Sequence, residues 1–245
     1  MSKTDPHRLV TSDGAILVDA GLATQVGPEW FEPDWWSQQG LLQPVPGGRG
    51  GVGRLFTTSG DLVLRHYRRG GAVAGLLGDR YLWTGQTHCR SLAEFRLLDT
   101  MYRRSLPVPQ PIAARYVRHG VGYTADLITR FLPGAKTLAE HILDEHYSLA
   151  DFANIGRTLA RFHVAGVYHA DLNAHNILYS GVRVYLIDFD RGRMRSPAEP
   201  WQRANLARLK RSLLKLLALV GTPTKQLQPC WSELQASYWM EMDRP

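Results

Sequence analysis

Cysteine is scarce in this chain of 245 residues, which contains only Cys89 and Cys230. Two cysteines cannot build the disulfide framework of a small secreted domain, so a reducing compartment fits. Uncharged apolar runs are also short, and none is long enough to span a bilayer. The first residues lack the apolar segment of a secretory signal. We therefore expect cytosolic synthesis of a globular protein with one large domain or two small lobes.

Acidic residues are fewer than basic residues in this chain. The chain has 22 Asp and Glu against 29 Lys and Arg, which gives a net charge of +7. Such a surplus favours an anionic partner, whether nucleotide, nucleic acid or acidic lipid surface, although it also serves solubility alone. Internal repeats are absent from the sequence, which argues against a repeat architecture.

Turn residues and hydrophobic periodicity predict mostly strands in the first half of the chain and mostly helices in the second. The predicted strands are 54–58, 62–67, 111–117, 123–131, 177–179 and 184–187. The predicted helices are 91–104, 137–146, 151–165, 201–220 and 224–242. Because Pro133-Gly134 is a strong breaker, we divide the chain into a sheet-rich region, 1–131, and a helical region, 132–245. This plan is an α+β fold with a small antiparallel-sheet N-lobe and a helical C-lobe.

The most informative stretch, residues 169–178, reads His-Ala-Asp-Leu-Asn-Ala-His-Asn-Ile-Leu, and a short apolar strand then leads to Asp-Phe-Asp. Phosphoryl transfer from ATP uses such a set. One carboxylate accepts the proton of the attacking hydroxyl, while an amide and a second carboxylate hold magnesium against the phosphates. We therefore predict Asp171 as the catalytic base and Asn176 and Asp188 as magnesium ligands. His169 is expected to bond the backbone near Asp188.

Two features of the first half fit the phosphates of ATP. Arg65 lies in a predicted strand at the position where protein kinases carry a phosphate-binding lysine, and arginine can bind phosphate through two N–H groups. Glu94, on the following predicted helix, is expected to orient Arg65. The glycine-rich run 47–53 precedes the first strand of the predicted hairpin, and glycine lets backbone amides approach phosphate closely. The predicted ATP contacts in this run are Gly48, Gly50, Gly51 and Gly53.

The segment after Asp188 departs from the protein-kinase pattern. Asp190 takes the place of a glycine that permits a backbone flip, so we expect a site that does not switch. No Ala-Pro-Glu follows to close an activation segment, which favours a small or lipid-linked hydroxyl acceptor over a peptide. The candidate acceptor contacts are Arg191, Arg193, Arg195 and His175.

Further cations and an aromatic cluster have two readings each. Arg208, Lys210 and Arg211 belong to a group of cations expected at the edge of the active site. They fit contacts with phosphates or carboxylates of the acceptor or with anionic lipid headgroups, and also a solvated helix face. Trp30-Phe31 and Trp35-Trp36 fit a membrane interface and also packing over the small lobe.

Three motifs together carry a family resemblance: His-Ala-Asp-Leu-Asn-Ala-His-Asn-Ile-Leu, Leu-Ile-Asp-Phe-Asp-Arg-Gly and Leu-Val-Leu-Arg-His-Tyr-Arg-Arg-Gly-Gly. The chain resembles the 3-deoxy-D-manno-octulosonic acid (Kdo) kinases, lipopolysaccharide core kinases within the protein-kinase-like superfamily, over residues 47–211. The resemblance implies ATP-dependent phosphorylation of the 4-hydroxyl of a Kdo residue on Kdo-lipid IVA, at the cytoplasmic face of the inner membrane. It also implies that Asp171, Asn176, Asp188 and Arg65 occupy the family's functional positions.

Two alternatives stay open. A related sugar kinase, acting on core heptose or on an aminoglycoside-like small molecule, would share the whole catalytic set. A non-catalytic kinase-like module that binds anionic lipid or nucleic acid would share the fold and the charge. The Kdo kinase interpretation implies ATP and Mg²⁺ as cofactors. Its expected partners are an anionic glycolipid acceptor and the inner-membrane surface, where the protein is peripheral, and not nucleic acid.

Overall fold

The computed structural model describes residues 5–44, 52–68, 79–180 and 183–244. These residues fall into two compact units. The first lies within Met1–Arg103 and Pro109–Phe131, and the second within Arg104–Val108 and Leu132–Pro245. The short stretch Arg104–Val108 goes with the second unit because it bonds to it: the amide of Leu186 donates to the carbonyl of Pro107 at 3.1 Å.

The first unit is built on an antiparallel sheet, which has eight strands in the described residues. The strands are β1 (His7–Val10), β2 (Gly14–Val18), β3 (Leu42–Pro44), β4 (Val52–Leu55), β5 (Leu62–His66), β6 (Tyr81–Leu82), β7 (Pro111–His119) and β8 (Gly122–Arg130). Their order is β1-β2-β7-β8-β5-β4-β3, and β6 pairs with β8. The predicted hairpin is confirmed, because β4 pairs with β5 with Leu55 opposite Leu62.

Aromatic side chains of the N-terminal segment fill the core of this unit. The 3-10 turn Pro28–Phe31 and helix α1 (Pro33–Gln38) bury Trp30, Phe31 and Trp36, which are 8%, 2% and 3% exposed. The indole N–H of Trp36 donates to the carbonyl of Trp30 at 2.8 Å, so its polar group is satisfied. Of the two readings of this cluster, packing within the sheet-rich unit is the one observed.

Helix α2 (Arg90–Arg103) packs on β7. Its apolar residues recur every three positions, which places them on one face. This face consists of Leu92, Phe95, Leu98 and Met101, all at most 2% exposed. The same helix buries Glu94 at 3% exposure, and a buried carboxylate requires a partner.

The second unit contains the remaining helices of the described chain, close to their predicted bounds. They are α3 (Leu138–Leu143), α4 (Leu149–Val164), α5 (Glu199–Leu219) and α6 (Leu227–Met242). Two of them begin in capping boxes, formed by Thr137 with Glu140 and by Ser148 with Asp151, which satisfy amides at the helix starts. Helix α4 packs along α6. Within the described residues, no helix combines the length and the apolar character that crossing a bilayer requires.

Short strands of the second unit hold the predicted catalytic segment. They are β9 (Lys136–Thr137), β10 (Val167–Tyr168), β11 (Ile177–Ser180), β12 (Arg183–Leu186) and β13 (Arg193–Met194). Strand β11 pairs with β12 and β9, and β10 pairs with β13, all antiparallel. The loop from β10 to β11, which we call the catalytic loop (residues 169–176), and the turn after β12 thus start from fixed strand ends.

Candidate active site

A buried histidine fixes the backbone of the catalytic loop. His169 is 2% exposed; its Nε2 lies 3.0 Å from the carbonyl oxygen of Ile187, and its Nδ1 accepts the amide of Asp171 at 3.1 Å. Nε2 therefore carries the ring proton. Burial lowers the pKa of His169, which favours the same neutral form. The predicted bond from His169 to the backbone next to Asp188 is confirmed.

Asp171 projects from the loop, and its side chain is 62% exposed. Oδ1 accepts a hydrogen bond from Nη1 of Arg208 at 3.0 Å, and Oδ2 accepts one from Nδ2 of Asn173 at 3.1 Å. Both carboxylate oxygens are thereby oriented while the group stays accessible, as a base for a hydroxyl acceptor must be. The sequence suggests acceptor anions, lipid headgroups or solvent as the surroundings of Arg208, and it does not predict the contact with Asp171, because no local pattern links α5 to the loop.

The two predicted metal ligands are tied to the same loop. Asn176 is 8% exposed, and its Nδ2 donates to the carbonyl of Asp171 at 3.0 Å. The amide of Ile187 donates to the carbonyl of Asn176 at 3.1 Å, so the residue before Asp188 is anchored as well. The structure therefore brings Asp171, Asn176 and the start of the Asp188 turn into one hydrogen-bonded assembly.

The oxygen atoms of this assembly fit a magnesium ion by their chemistry. Asn176 uses its Nδ2 in the bond to the loop, so Oδ1 is the atom that remains for a ligand, and it accepts no hydrogen bond from the described residues. Asp188 adds a carboxylate. Mg²⁺ takes hard oxygen ligands and keeps several waters or substrate phosphates in its shell, so one or two protein carboxylates suffice.

Phe189 anchors the turn that carries Asp188. Its side chain is fully buried and stacks on Phe162 with 5.9 Å between ring centres. The centre of the His169 ring lies 4.7 Å from that of Phe189. Asp188 has a φ of 60°, a left-handed conformation that aspartate adopts more readily than most residues. The turn is thus shaped both by its backbone and by the buried ring.

The basic segment after this turn is fixed to the strand that leads into the catalytic loop. Arg193 pairs with Tyr168, and the amide of Arg195 donates to the carbonyl of Gly166 at 2.7 Å. The guanidinium groups of Arg193 and Arg195 lie 5.6 and 4.9 Å from the ring centre of Tyr168. Gly166 has a φ of 76°, and a Cβ there would lie 2.3 Å from the carbonyl oxygen of Arg195, so this pairing requires glycine.

The other two candidate acceptor contacts, Arg191 and His175, are exposed. The backbone amide of His175 donates to Oδ1 of Asn173 at 2.9 Å, which places it in the same loop as Asp171. All four candidate acceptor residues therefore belong to the second unit. His175 lies in the catalytic loop, Arg193 and Arg195 bond to the segment just before it, and Arg191 follows the Asp188 turn.

In the first unit, Arg65 of β5 forms an ion pair with Glu94 of α2. Tyr67 completes this group: its hydroxyl accepts from Nη2 of Arg65 at 2.8 Å and donates to Glu94. Burial raises the pKa of Tyr67, so the phenol keeps its proton for the carboxylate. Sequence reasoning missed Tyr67, although residues two apart on a strand share a face and Tyr67 stands two positions after Arg65.

The glycine run is described only in part. Gly48, Gly50 and Gly51 lie outside the described residues. The expectation that the whole run precedes the strand is wrong for Gly53, which lies inside β4 opposite Pro44 and Leu64. A Cβ at Gly53 would lie 2.5 Å from Cδ1 of Leu42, so a larger residue at this position would have to displace the side chain of Leu42.

The Arg65 group supports a prediction. We expect Arg65→Ala to lower kcat/KM for ATP about 10- to 100-fold, because hydrogen bonds to charged groups contribute about 1.5–3 kcal/mol. Arg65→Lys should restore only part of the loss, since an ammonium cannot reproduce the planar fork that contacts Glu94 and Tyr67. Steady-state kinetics with varied ATP measure both effects. Arg103→Lys is the control, because Arg103 also pairs with a carboxylate, that of Asp99. If Arg65→Lys equals the wild type, a point charge suffices and the fork is not used.

Known proteins are similar to this chain in fold and in sequence. A solved glucosamine kinase, in complex with glucosamine, ADP and inorganic phosphate, superposes with a TM-score of 0.52 at 13% identity, covering 96% of this chain and 81% of that chain. This likeness concerns the fold, and it confirms the predicted α+β, kinase-like fold class.

The sequence comparisons are closer. The model of the lipopolysaccharide kinase (Kdo/WaaP) family matches residues 33–238. A 3-deoxy-D-manno-octulosonic acid kinase of Xanthomonas campestris pv. campestris (strain B100) is 47% identical over 213 residues, 86% of this chain and 84% of the relative. Its counterpart in Xylella fastidiosa (strain M23) is 47% identical over 206 residues, 83% and 82% of the two chains.

These matches define the class of activity. The protein is an ATP-dependent phosphotransferase, so the alternative of a non-catalytic module is wrong. The chain belongs to the lipopolysaccharide kinase (Kdo/WaaP) family, as the motif resemblance predicted.

Proposed function

We propose that this protein transfers the γ-phosphate of ATP to the 4-hydroxyl of a Kdo residue on Kdo-lipid IVA. The observation that carries the acceptor is the 47% identity to proteins named Kdo kinases over 86% of the chain. The hydroxyl position and the lipid-linked form of the acceptor come from the motif resemblance. Core heptose and aminoglycoside-like small molecules are the competing acceptors.

Asp171 is assigned as the group that orients the acceptor hydroxyl and accepts its proton. Phosphoryl transfer passes through a loose transition state, in which positioning and charge stabilisation contribute most of the catalysis. A carboxylate held at both oxygens by Arg208 and Asn173 suits that task. Arg65, oriented by Glu94 and Tyr67, is assigned to the nucleotide phosphates.

Asn176 and Asp188 are assigned to Mg²⁺. The ion, when bound, neutralises charge on the phosphate oxygens of ATP. The contribution of this chain is to fix the ligands: the catalytic loop holds the amide of Asn176, and the buried ring of Phe189 holds the turn of Asp188.

Arg191, Arg193, Arg195 and His175 are assigned to the acceptor. Kdo carries a carboxylate and lipid IVA carries phosphates, which suit guanidinium groups. Arg193 and Arg195 lie over the ring of Tyr168, next to the start of the catalytic loop, which supports a role for both in binding an anionic acceptor. We further propose a peripheral position at the cytoplasmic face of the inner membrane, because a lipid-linked acceptor is anchored there.

The test is a panel of acceptors with labelled ATP. We expect kcat/KM for Kdo-lipid IVA to exceed that for a heptosylated acceptor at least about tenfold, since a site built for particular polar groups discriminates against an acceptor that misplaces them. Mass spectrometry of the product locates the phosphate on the sugar. Preference for a heptose hydroxyl or for a free amino sugar would contradict the assignment.

The same assay addresses the basic segment. Replacing Arg191, Arg193 and Arg195 together by glutamine should raise KM for the acceptor and leave KM for ATP unchanged. The effect should shrink as salt rises, because exposed charges are screened over about 8 Å at physiological ionic strength. A change in KM for ATP alone would assign these arginines to the nucleotide instead.

A further inference from the structure

Helix α5 presents three polar side chains to the catalytic loop. Asn205 contacts the backbone of His169 twice: its Nδ2 donates to the carbonyl at 3.0 Å, and its Oδ1 accepts the amide at 3.4 Å. The hydroxyl of Ser212 accepts the amide of Ala174 at 3.1 Å. Arg208 lies between them, and residues three, four and seven apart share one face of a helix. One face of α5 thus contacts the beginning, middle and end of the loop.

Arg208 is the charged member of this face and the one that contacts the side chain of the assigned base. Its Nη1 donates to Oδ1 of Asp171 at 3.0 Å. The two side chains are 46% and 62% exposed, and ion pairs in such positions contribute little to folding stability. The pair is therefore poorly explained as a stabilising contact of the fold.

We infer that Arg208 is a positioning residue for phosphoryl transfer, which holds the Asp171 carboxylate in the orientation that receives the acceptor hydroxyl. Asn173 bonds Oδ2 from within the loop, and Arg208 bonds Oδ1 from α5, so the two together fix the rotation of the carboxylate. This inference rests on the proposed function in one respect, the assignment of Asp171 as the base.

The energetics favour positioning over activation. In a loose phosphoryl transfer, proton removal contributes little and orientation contributes much. A misplacement of about 1 Å is enough to cost about 100-fold in rate, so an arginine that prevents it has a clear benefit.

The test compares Arg208→Ala and Arg208→Lys with the control Lys215→Ala. Lys215 is an exposed cation seven residues further along α5, and its side chain has no hydrogen bond to the rest of the described chain. We expect Arg208→Ala to lower kcat about 10- to 100-fold, with KM for ATP within twofold of the wild type and an unchanged thermal midpoint. Arg208→Lys should recover part of kcat, and Lys215→Ala should match the wild type. An unchanged kcat in Arg208→Ala would overturn the inference.

A double-mutant cycle separates action through Asp171 from direct contact with a substrate. In an Asp171→Ala background, Arg208→Ala should cause no further loss, because its target is already absent. If it costs the same factor in both backgrounds, Arg208 acts on phosphate or acceptor directly and the positioning role is wrong.

Failure of the proposed function would look different. If the wild type does not phosphorylate Kdo-lipid IVA, the acceptor assignment fails. The cycle is then run on the hydrolysis of ATP by the same variants, with the same expectations for Arg208.

Discussion

Alanine in place of Asp171 is expected to slow phosphoryl transfer by about two to four orders of magnitude, the range that general-base catalysis and positioning supply. The side chain is exposed, and its hydrogen bonds to Arg208 and Asn173 lie at the surface. The fold should therefore survive, with a thermal midpoint close to that of the wild type. Single-turnover transfer of labelled phosphate measures the loss even when turnover is very slow.

A surface carboxylate provides the matched control for this experiment. Asp144 of the same unit pairs with Lys136 at 3.2 Å and is 52% exposed, so Asp144→Ala removes a comparable ion pair whose two residues lie outside the catalytic loop. It should retain wild-type kinetics. Near wild-type turnover in a folded Asp171→Ala protein would show that another group receives the proton.

Asp188→Asn is the second change with a large expected effect. Asparagine adopts the left-handed backbone of this position as readily as aspartate, so the substitution removes the charge and leaves the turn in place. Magnesium affinity should fall at least about tenfold, the lower end of the loss seen when an outer partner of a metal ligand is removed. Phosphoryl transfer should fall with it.

Calorimetric titration of ATP with and without Mg²⁺ separates this effect from a general loss of nucleotide binding. The wild type should bind ATP more tightly with Mg²⁺, and the difference should largely disappear in Asp188→Asn. Asp144→Asn serves as the control. If the variant keeps the full magnesium dependence, the metal site lies elsewhere and Asp188 has a structural role.

Local patterns predicted those parts of the fold that are set by local interactions. The hairpin of β4 and β5 follows from a turn between two β-rich runs, and α2 follows from apolar residues spaced three apart. The spacing of Asp171, Asn176 and Asp188 likewise indicated one site, because a loop between short strands keeps residues that are near in sequence near in space.

Contacts between distant segments could not be found in this way. The catalytic loop lies against Asn205, Arg208 and Ser212, which are more than 30 positions further along the chain. A single sequence does not show which residues of the loop and of α5 face each other. The surroundings of Trp30 and Trp36 could not be predicted from the sequence either, because amphipathic rings suit both a core and a lipid interface. Burial decides between those two environments, and burial is a property of the folded chain.

The buried ring of Phe189 has a consequence for how the enzyme is controlled in the cell. Moving a phenylalanine from the core to water costs about 1.5–3 kcal/mol, and at the upper end of that range only about one molecule in 150 has the ring displaced. Because Asp190 stands where a glycine would ease a backbone flip, we expect an inactive arrangement of the turn to be rarely populated. We expect an enzyme that is always on, whose output follows the supply of acceptor and ATP, so that control of flux belongs to the steps that make the acceptor.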